Sequence, residues 1–532
     1  MTVSAQSYPQ GFISETLRKS AWSPQDLGLY PHEGVSSDWN QIMQSVAAQF
    51  SEDQRLELIS VLQSQMGENL SESQKSNLRR LQENSTFFVV TGQQIHLGLG
   101  PMYVIYKICS AIVLCNDLNQ RYTDNHFVPL FWMATEDHDV EEINHVDLFG
   151  QRFTCDIQWK TGVGTLPTQG FDELWHWMRQ KFERDEEAIQ RLEHCMAFYH
   201  GEGQNLWMST AHWVSELFAD FGLLILDPSE ARLKKRATSI FAKDLFENTF
   251  FEAFSAQSDI LKLQDIEPPA HFRTCNVFWM DAYRRERIVK QGDDFGLVDS
   301  HRKITRAEMQ RILEAEPERI SPNVLLRPLY QQTILPAVAY VAGPTEYLYW
   351  LQTTQAFVKS GIAPPALIHR MGGVVINATQ QKKLNQIDVK PQELFNDASD
   401  LRTMLVQRLS GDNALQSAQG KIEEGIKEYL EVLYQWKNGS LVDIKKQSES
   451  FLKSQRKSTE EAINQYLSSK FSEASWNSIT HLQNDTFSLK NPQERRLNFI
   501  QYYLEGKTQW LSEICHFSAY SPEQAFWYIT LD

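Results

Sequence analysis

The sequence predicts an α/β protein with a doubly wound parallel sheet and a helical hairpin beyond it. Three observations lead to that expectation. Residues 86–146 read as a strand, a Gly-rich loop, a helix, a second strand and a polar loop. Apolar runs then recur between helical stretches at 222–227, 335–343 and 366–369, the alternation that a parallel sheet with crossover helices requires. After about residue 375 the composition turns to Gln, Lys, Glu, Ser and Leu, and apolar side chains take heptad spacing.

Residues 1–85 are polar and helical in pattern, with apolar spacing at 39–50 and 56–66 and no evident chemistry. The run 87–91 is β-branched and aromatic, as a buried strand should be. Gly98 and Gly100 keep the following loop free, and Pro101 suits the first turn of a helix. Val104, Ile105, Ile108, Ala111, Ile112 and Cys115 give that helix an apolar stripe. Residues 127–134 are apolar almost throughout, as in a central parallel strand. Glu136, Asp137, His138 and Asp139 follow at the edge where open α/β sheets bind ligands.

Residues 150–215 are rich in Trp, Glu and Gln and interrupt the pattern, with a loop at 162–170 and a helix over 171–198. This stretch reads as an insertion over the sheet edge. The run 222–227 is a strand closed by Pro228, with helix to about 251. Residues 276–281 and 287–290 look like a strand pair, 335–343 like a strand, 345–359 like a helix and 366–369 like the last strand. Ile422, Ile426, Tyr429, Leu433 and Trp436 form a heptad seam, broken at Asn438-Gly439, and a second helix starts near Leu441. Two helices with a short connector suggest an antiparallel hairpin. The aromatic stretch 491–532 is expected to pack back on the core. The divisions are thus 1–85, 86–375 with its insertion at about 150–215, 376–490 and 491–532.

The net charge of −16 argues against sequence-independent nucleic-acid binding. No apolar run reaches membrane-span length, and the first residues lack a signal-peptide pattern. Six scattered cysteines without a CxxC pair read as reduced thiols in a cytoplasm.

Among candidate site residues, Gln93 and Gln94 offer amide donors and acceptors, and N–H groups at the Pro101 helix start favour an anion. The loop is not a Walker A motif. His96 can donate to a phosphate or be an exposed loop histidine. Lys107 can balance phosphate charge or be an ordinary solvated lysine. Asp137, His138 and Asp139 are the catalytic candidates, because clustered acids past a buried strand can orient an amine or accept its proton. A charged helix start explains the same pattern. His138, Glu142 and His145 also fall at the spacing of a metal-binding helix face. Arg327 can grip a carboxylate or phosphate in two-pronged fashion, or form a structural ion pair. Glu346 can bind an amine or hydroxyl, and Trp350 can wall the pocket or belong to the core.

Several motifs together resemble the cysteine ligase (BshC) family of bacillithiol biosynthesis. They are TGQQ…GPMYVIYK at 91–107, FWMATEDHDVEEINH at 131–145, SPNVLLRPLYQQTILP at 321–336 and AGPTEYLYW at 342–350. A helical hairpin at 420–467 and an xQER segment at 492–495 also match. His96 stands where the family usually has glycine, Ala342 replaces the first glycine of a GGP, and Pro492 replaces a leucine before QER. The resemblance implies a Rossmann-like core with inserted segments and a coiled-coil arm that makes a homodimer. It implies a cytoplasmic enzyme joining L-cysteine to glucosaminyl malate, with ATP as the suspected activator and no nucleic-acid or membrane partner. The implied substrate- or nucleotide-binding residues are Gln93, Gln94, His96, Gly100 and Lys107, then Asn144 and His145, Asn323 and Arg327, and Glu346 and Trp350. Two other readings stay open: a metal-dependent hydrolase using Asp137, His138, Asp139 and His145, and a non-catalytic nucleotide-binding scaffold.

Overall fold

A computed structural model describes residues 1–7, 29–201, 203–396, 398–410, 414–436, 442–487, 492–521 and 525–531. The chain divides into two units. One contains Ile13–Val374 and Glu494–Ile529, and the other contains Val375–Gln493.

The first unit is built on five strands: β1 (Thr86–Gln93), β2 (His126–Met133), β3 (Leu224–Leu226), β4 (Ala337–Ala342) and β5 (Ala366–His369). They pair in the order β3-β2-β1-β4-β5, every pair parallel. That is the Rossmann order, which reverses direction between β1 and β4. The β1–β2 register runs unbroken from Thr86↔His126 to Gln93↔Met133. Pro129 sits inside β2 without an N–H to give. The register shows why it is tolerated. His126 and Ala134 donate their N–H groups to Ser85 and Gln93 on the β1 side. Odd-numbered N–H groups therefore face β3, whose pairing begins only at Leu130.

Helix α1 (Met102–Arg121) connects β1 to β2 and is buried along most of its length. Ile105, Ile108, Val113, Leu114 and Leu118 are all at most 1% exposed. Burying each such side chain contributes about 1.5–3 kcal/mol before entropy is subtracted. Three shorter helices matter for the site: α2 (Val140–Ile143), α3 (Arg327–Ile334) and α4 (Pro344–Leu351).

Several expected elements differ in detail. The helix expected over 171–198 is two helices, Asp172–Lys181 and Glu186–Tyr199. Asp185 breaks the run by capping the second, its carboxylate accepting the Ala188 N–H at 3.0 Å. The strand pair near 276–290 belongs to a separate five-stranded sheet, in the order Lys303–Ile304, Asp294–Leu297, Arg285–Gln291, Val277–Met280, Ile320–Pro322. All its pairs are antiparallel. The strand 366–369 is not the last. Gly372–Ile376 and Phe526–Thr530 follow it, in a three-stranded sheet with Thr2–Gln6. The helix expected over 345–359 is α4 plus Thr354–Ser360.

Residues Glu494–Ile529 belong to the first unit. Trp510 and Trp527 are fully buried, with ring centroids 6.1 Å and 5.9 Å from that of Tyr106 on α1.

The second unit is helical, dominated by Ala414–Trp436 and Val442–Lys470. Asn438-Gly439 and Leu441 lie outside the described residues, as do the side chains of Leu433 and Trp436. Of the remaining seam, Ile422 and Tyr429 are exposed at 41% and 58%. Ile426 is half-buried. Among the described residues no helix is long and apolar enough to cross a membrane.

Candidate active site

The carboxyl ends of β1, β2, β4 and β5 open onto one cavity of about 380 Å³. Gly92 and Gln93 reach it from β1, Trp132 from β2, and Gly343 and Arg370 from just beyond β4 and β5. Tyr103 and Lys107 line it from α1, Glu142 from α2, Arg327 from α3, and Glu346 and Tyr349 from α4. Arg495 enters from the C-terminal segment. The cavity thus stands at the switch point of the sheet, where α/β folds bind ligands.

Lys107 is not a solvated lysine, being only 1% exposed. Its ammonium donates to the Gly92 carbonyl, to Gln93 Oε1 at 3.0 Å and to Glu346 Oε2 at 2.6 Å. Those three acceptors use its three protons. Burial lowers its pKa, and the Glu346 charge opposes that shift. Glu346 also accepts the Gly343 N–H at 2.7 Å and the Tyr340 hydroxyl at 3.1 Å. The pair therefore ties α1, α4 and the end of β1 together.

Asp137 accepts the His138 N–H at 2.8 Å and lies 4.0 Å from Arg285. Burial pushes its carboxyl up. Hydrogen bonding from His138 and the charges of Arg327 and Arg285 outweigh burial and hold it well below the usual carboxylate range. Asp137 is therefore a fixed anion on the cavity wall.

Glu142 behaves differently. Among the described residues its carboxylate forms no ion pair and accepts no side-chain hydrogen bond. Burial and the charges of Asp137, Asp139 and Glu346 push it up to about 7, against the pull of Lys107.

The cations also divide. Arg370 is buried and paired with Glu494. Arg327 and Arg495 line the cavity without an ion pair among the described residues. Among the described residues, two buried atoms of the lining lack partners: the acceptor Gln94 Oε1 and the donor Trp132 Nε1. Buried polar atoms without partners are rare, and a ligand that supplies both missing bonds suits this pair.

Of the residues singled out from sequence, Gln93, Gln94, Lys107, Asp137, Arg327 and Glu346 line the cavity. The others do not. His138 turns to Arg285, whose Nη1 lies 2.9 Å from His138 Nδ1. A guanidinium only donates, so Nδ1 accepts and the proton sits on Nε2. Asp139 is the N-cap residue of α2 without a side-chain capping bond, though its charge reaches Glu142. Asn323 Oδ1 accepts the Leu325 and Leu326 N–H groups at 3.0 and 2.9 Å, a structural cap just ahead of α3. Trp350 is core rather than pocket wall, stacked on Tyr340 with centroids 4.3 Å apart.

The first loop differs from its expected role. His96 is 5% exposed, and burial lowers its pKa to about 4. It is neutral and outside the cavity lining, so it brings no charge to a phosphate. Gly100 takes φ +73°, and a Cβ there would stand 2.8 Å from that of His96. Its role is conformational. The helix start does not open to a ligand at its first N–H, because Met102 donates to Leu497 O at 2.9 Å. Asn144 and His145 lie outside the lining, with His145 in the strand His145–Leu148. Helix α2 has only four residues, so His138, Glu142 and His145 share no helical face. Among the described residues no group of three His, Cys, Asp or Glu side chains is placed to hold a metal ion.

Sequence reasoning missed Tyr103, Trp132, Tyr349, Arg370 and Arg495 as lining residues, and read Glu142 only as part of a metal face. Arg495 stands in the QER segment already singled out, the one available signal.

The fold and cavity define a Rossmann-type α/β protein with a cavity of mixed charge at the switch point of its sheet. Residues 26–371 match the family described as bacillithiol biosynthesis BshC, N-terminal Rossmann-like domain, and residues 373–529 its C-terminal coiled-coil domain. The chain belongs to the BshC family. Three relatives carry the name "Putative cysteine ligase BshC". The one from Cytophaga hutchinsonii is 35% identical over 66% of this chain and 66% of its own. That from Flavobacterium psychrophilum is 31% identical over 87% and 86%. That from Christiangramia forsetii is 31% identical over 85% and 84%.

Proposed function

We propose that this chain is a cytoplasmic ligase that joins L-cysteine to glucosaminyl malate through an amide bond. ATP activates the cysteine carboxyl as an acyl-adenylate. The observation that carries this reading is the division of charge in one cavity. Arg327 and Arg495, free of ion pairs among the described residues, suit phosphate or malyl carboxylate groups. Asp137 and Glu142 suit an amine that must be held and deprotonated. The names of the relatives agree with this chemistry. The protein's contribution is to bring two reactants together and stabilise developing charge.

The test is made with purified full-length chain, cysteine, glucosaminyl malate and ATP, read by mass spectrometry. Cysteinylated product with AMP and pyrophosphate is expected. Product with ADP and phosphate instead would remove the adenylate, and no product with any nucleoside triphosphate would remove the ligase.

The chain is also proposed to form a homodimer through residues 420–469. Ile422, Tyr429, Val432 and Phe451 are 41%, 58%, 47% and 50% exposed in the single chain, and pairing of coiled-coil helices buries such a stripe. Light scattering at micromolar concentration is expected to give twice the chain mass, and Tyr429→Asp to shift it toward the monomer. A monomeric unmutated chain excludes the dimer.

A further inference from the structure

The cavity holds three carboxylates, and two are already committed. Glu346 is held by Lys107, the Gly343 N–H and the Tyr340 hydroxyl. Asp137 is held by the His138 N–H beside Arg285 and Arg327. A carboxylate pinned by cations and donors is a weak proton acceptor. Glu142 alone among the three has no side-chain partner among the described residues, and it lines the cavity from α2 with part of its side chain open to solvent and part set against the cavity wall.

We infer that Glu142 is the catalytic group that takes the proton from the attacking amine. The inference rests on the ligase reading. The amine nitrogen attacks the carbonyl carbon of the acyl-adenylate, and the C–N bond forms. The C–O bond to phosphorus breaks, and the nucleoside monophosphate leaves with that electron pair. The proton passes from nitrogen to a Glu142 carboxylate oxygen, and then to solvent at the cavity mouth. Tyr103 and Lys107 face Glu142 from α1, Asp137 and Asp139 from the segment before α2, and Glu346 from α4, while Arg327, Arg370 and Arg495 line the same space. Burial against the cavity wall, and after it the acidic neighbours, favour the protonated carboxyl and bring it to about 7. A base poised near the working pH both accepts and releases a proton readily.

The experiment measures amide formation against pH, from acid to mildly alkaline, for the unmutated chain, Glu142→Gln and Glu142→Asp, with melting curves for each. The unmutated chain is expected to gain rate with rising pH through a limb near 7. Glu142→Gln is expected to lose that limb and about a hundredfold in kcat, with KM little changed and a normal melting curve. Glu142→Asp keeps the limb and recovers part of the rate. Lys107 is the competing titrating group, so a limb that persists in Glu142→Gln overturns the assignment. So does a Glu142→Gln rate within a few-fold of normal, or a loss confined to KM. A chain that forms no amide before mutation overturns the ligase reading itself, and this role with it.

Discussion

Replacing Asp137 by asparagine is expected to lower kcat/KM for amide formation by about a hundredfold or more, on the order of 2.7 kcal/mol of transition-state stabilisation. The reason lies in what flanks the carboxylate. Arg327 acts on it from α3 inside the cavity, and Arg285 stands 4.0 Å away behind it. Arg285 is itself fixed by Ser321 Oγ at 3.0 Å, by the Pro322 carbonyl at 3.2 Å and by the Phe278 ring 3.9 Å from its Cζ. Neutralising Asp137 removes the anion that an incoming ammonium would meet and leaves the nearby Arg327 charge unbalanced. His138→Ala is expected to do less, because His138 lies outside the cavity lining and its backbone N–H, which the substitution keeps, still donates to Asp137 at 2.8 Å.

The acid limb of stability separates this account from a plain helix-start role. The folded pKa of Asp137 is depressed. Its stabilisation is present above the unfolded carboxylate pKa, and it is lost as pH falls through the folded value. Asp137→Asn should therefore melt lower than the unmutated chain near neutrality, and the gap should close in strong acid. A normal rate in Asp137→Asn, with at most about 1 kcal/mol lost, would mean that the charge merely favours a helix start.

The parts of this structure legible in the sequence are those where burial writes a continuous pattern. The β1–α1–β2 unit shows because Phe87–Val90 and Phe127–Met133 are buried on both faces. The full antiparallel sheet is hard to read because its edge strands, Lys303–Ile304 and Ile320–Pro322, hold two and three residues, and Asp294–Leu297 holds four. No period can be read over so few positions. The strand Gly372–Ile376 was masked by its two glycines and by the long separation from its partner Phe526–Thr530.

The site follows the same logic. Loops directly after strands announced Gln93, Gln94 and Asp137. Arg370 and Arg495 are far apart in sequence, and the buried pair between Arg370 and Glu494 is what brings the QER segment to the cavity. Trp132 looked like strand filling because its indole N–H lacks a partner only in the folded chain. Trp350 and His96 show the opposite case. Helical spacing and loop position allowed a ligand role, and burial settled their surroundings.

Lys234→Met is expected to cost about 3–5 kcal/mol, the range found when one partner of a buried ion pair is removed. Lys234 Nζ stands 2.6 Å from Glu136 Oε1, with the two side chains 0% and 2% exposed. The ammonium also donates to the Ile320 carbonyl at 3.1 Å and lies 4.7 Å from the Tyr330 ring centroid. Burial of both side chains leaves little solvent to screen a charge left behind. Burial lowers the Lys234 pKa, and the Glu136 charge is what opposes it. Removing the ammonium strands Glu136, which immediately precedes Asp137 and holds the end of the segment leaving β2. Glu136→Leu combined with Lys234→Met removes both charges and is expected to recover most of the loss, since apolar replacements of buried pairs are often neutral. Urea unfolding of the two single variants and the double variant measures this as a coupling energy. If each single change costs less than about 1 kcal/mol, the pair is not the anchor of the Asp137 segment. If the double variant regains stability but not amide formation, the pair instead fixes where Asp137 stands in the cavity.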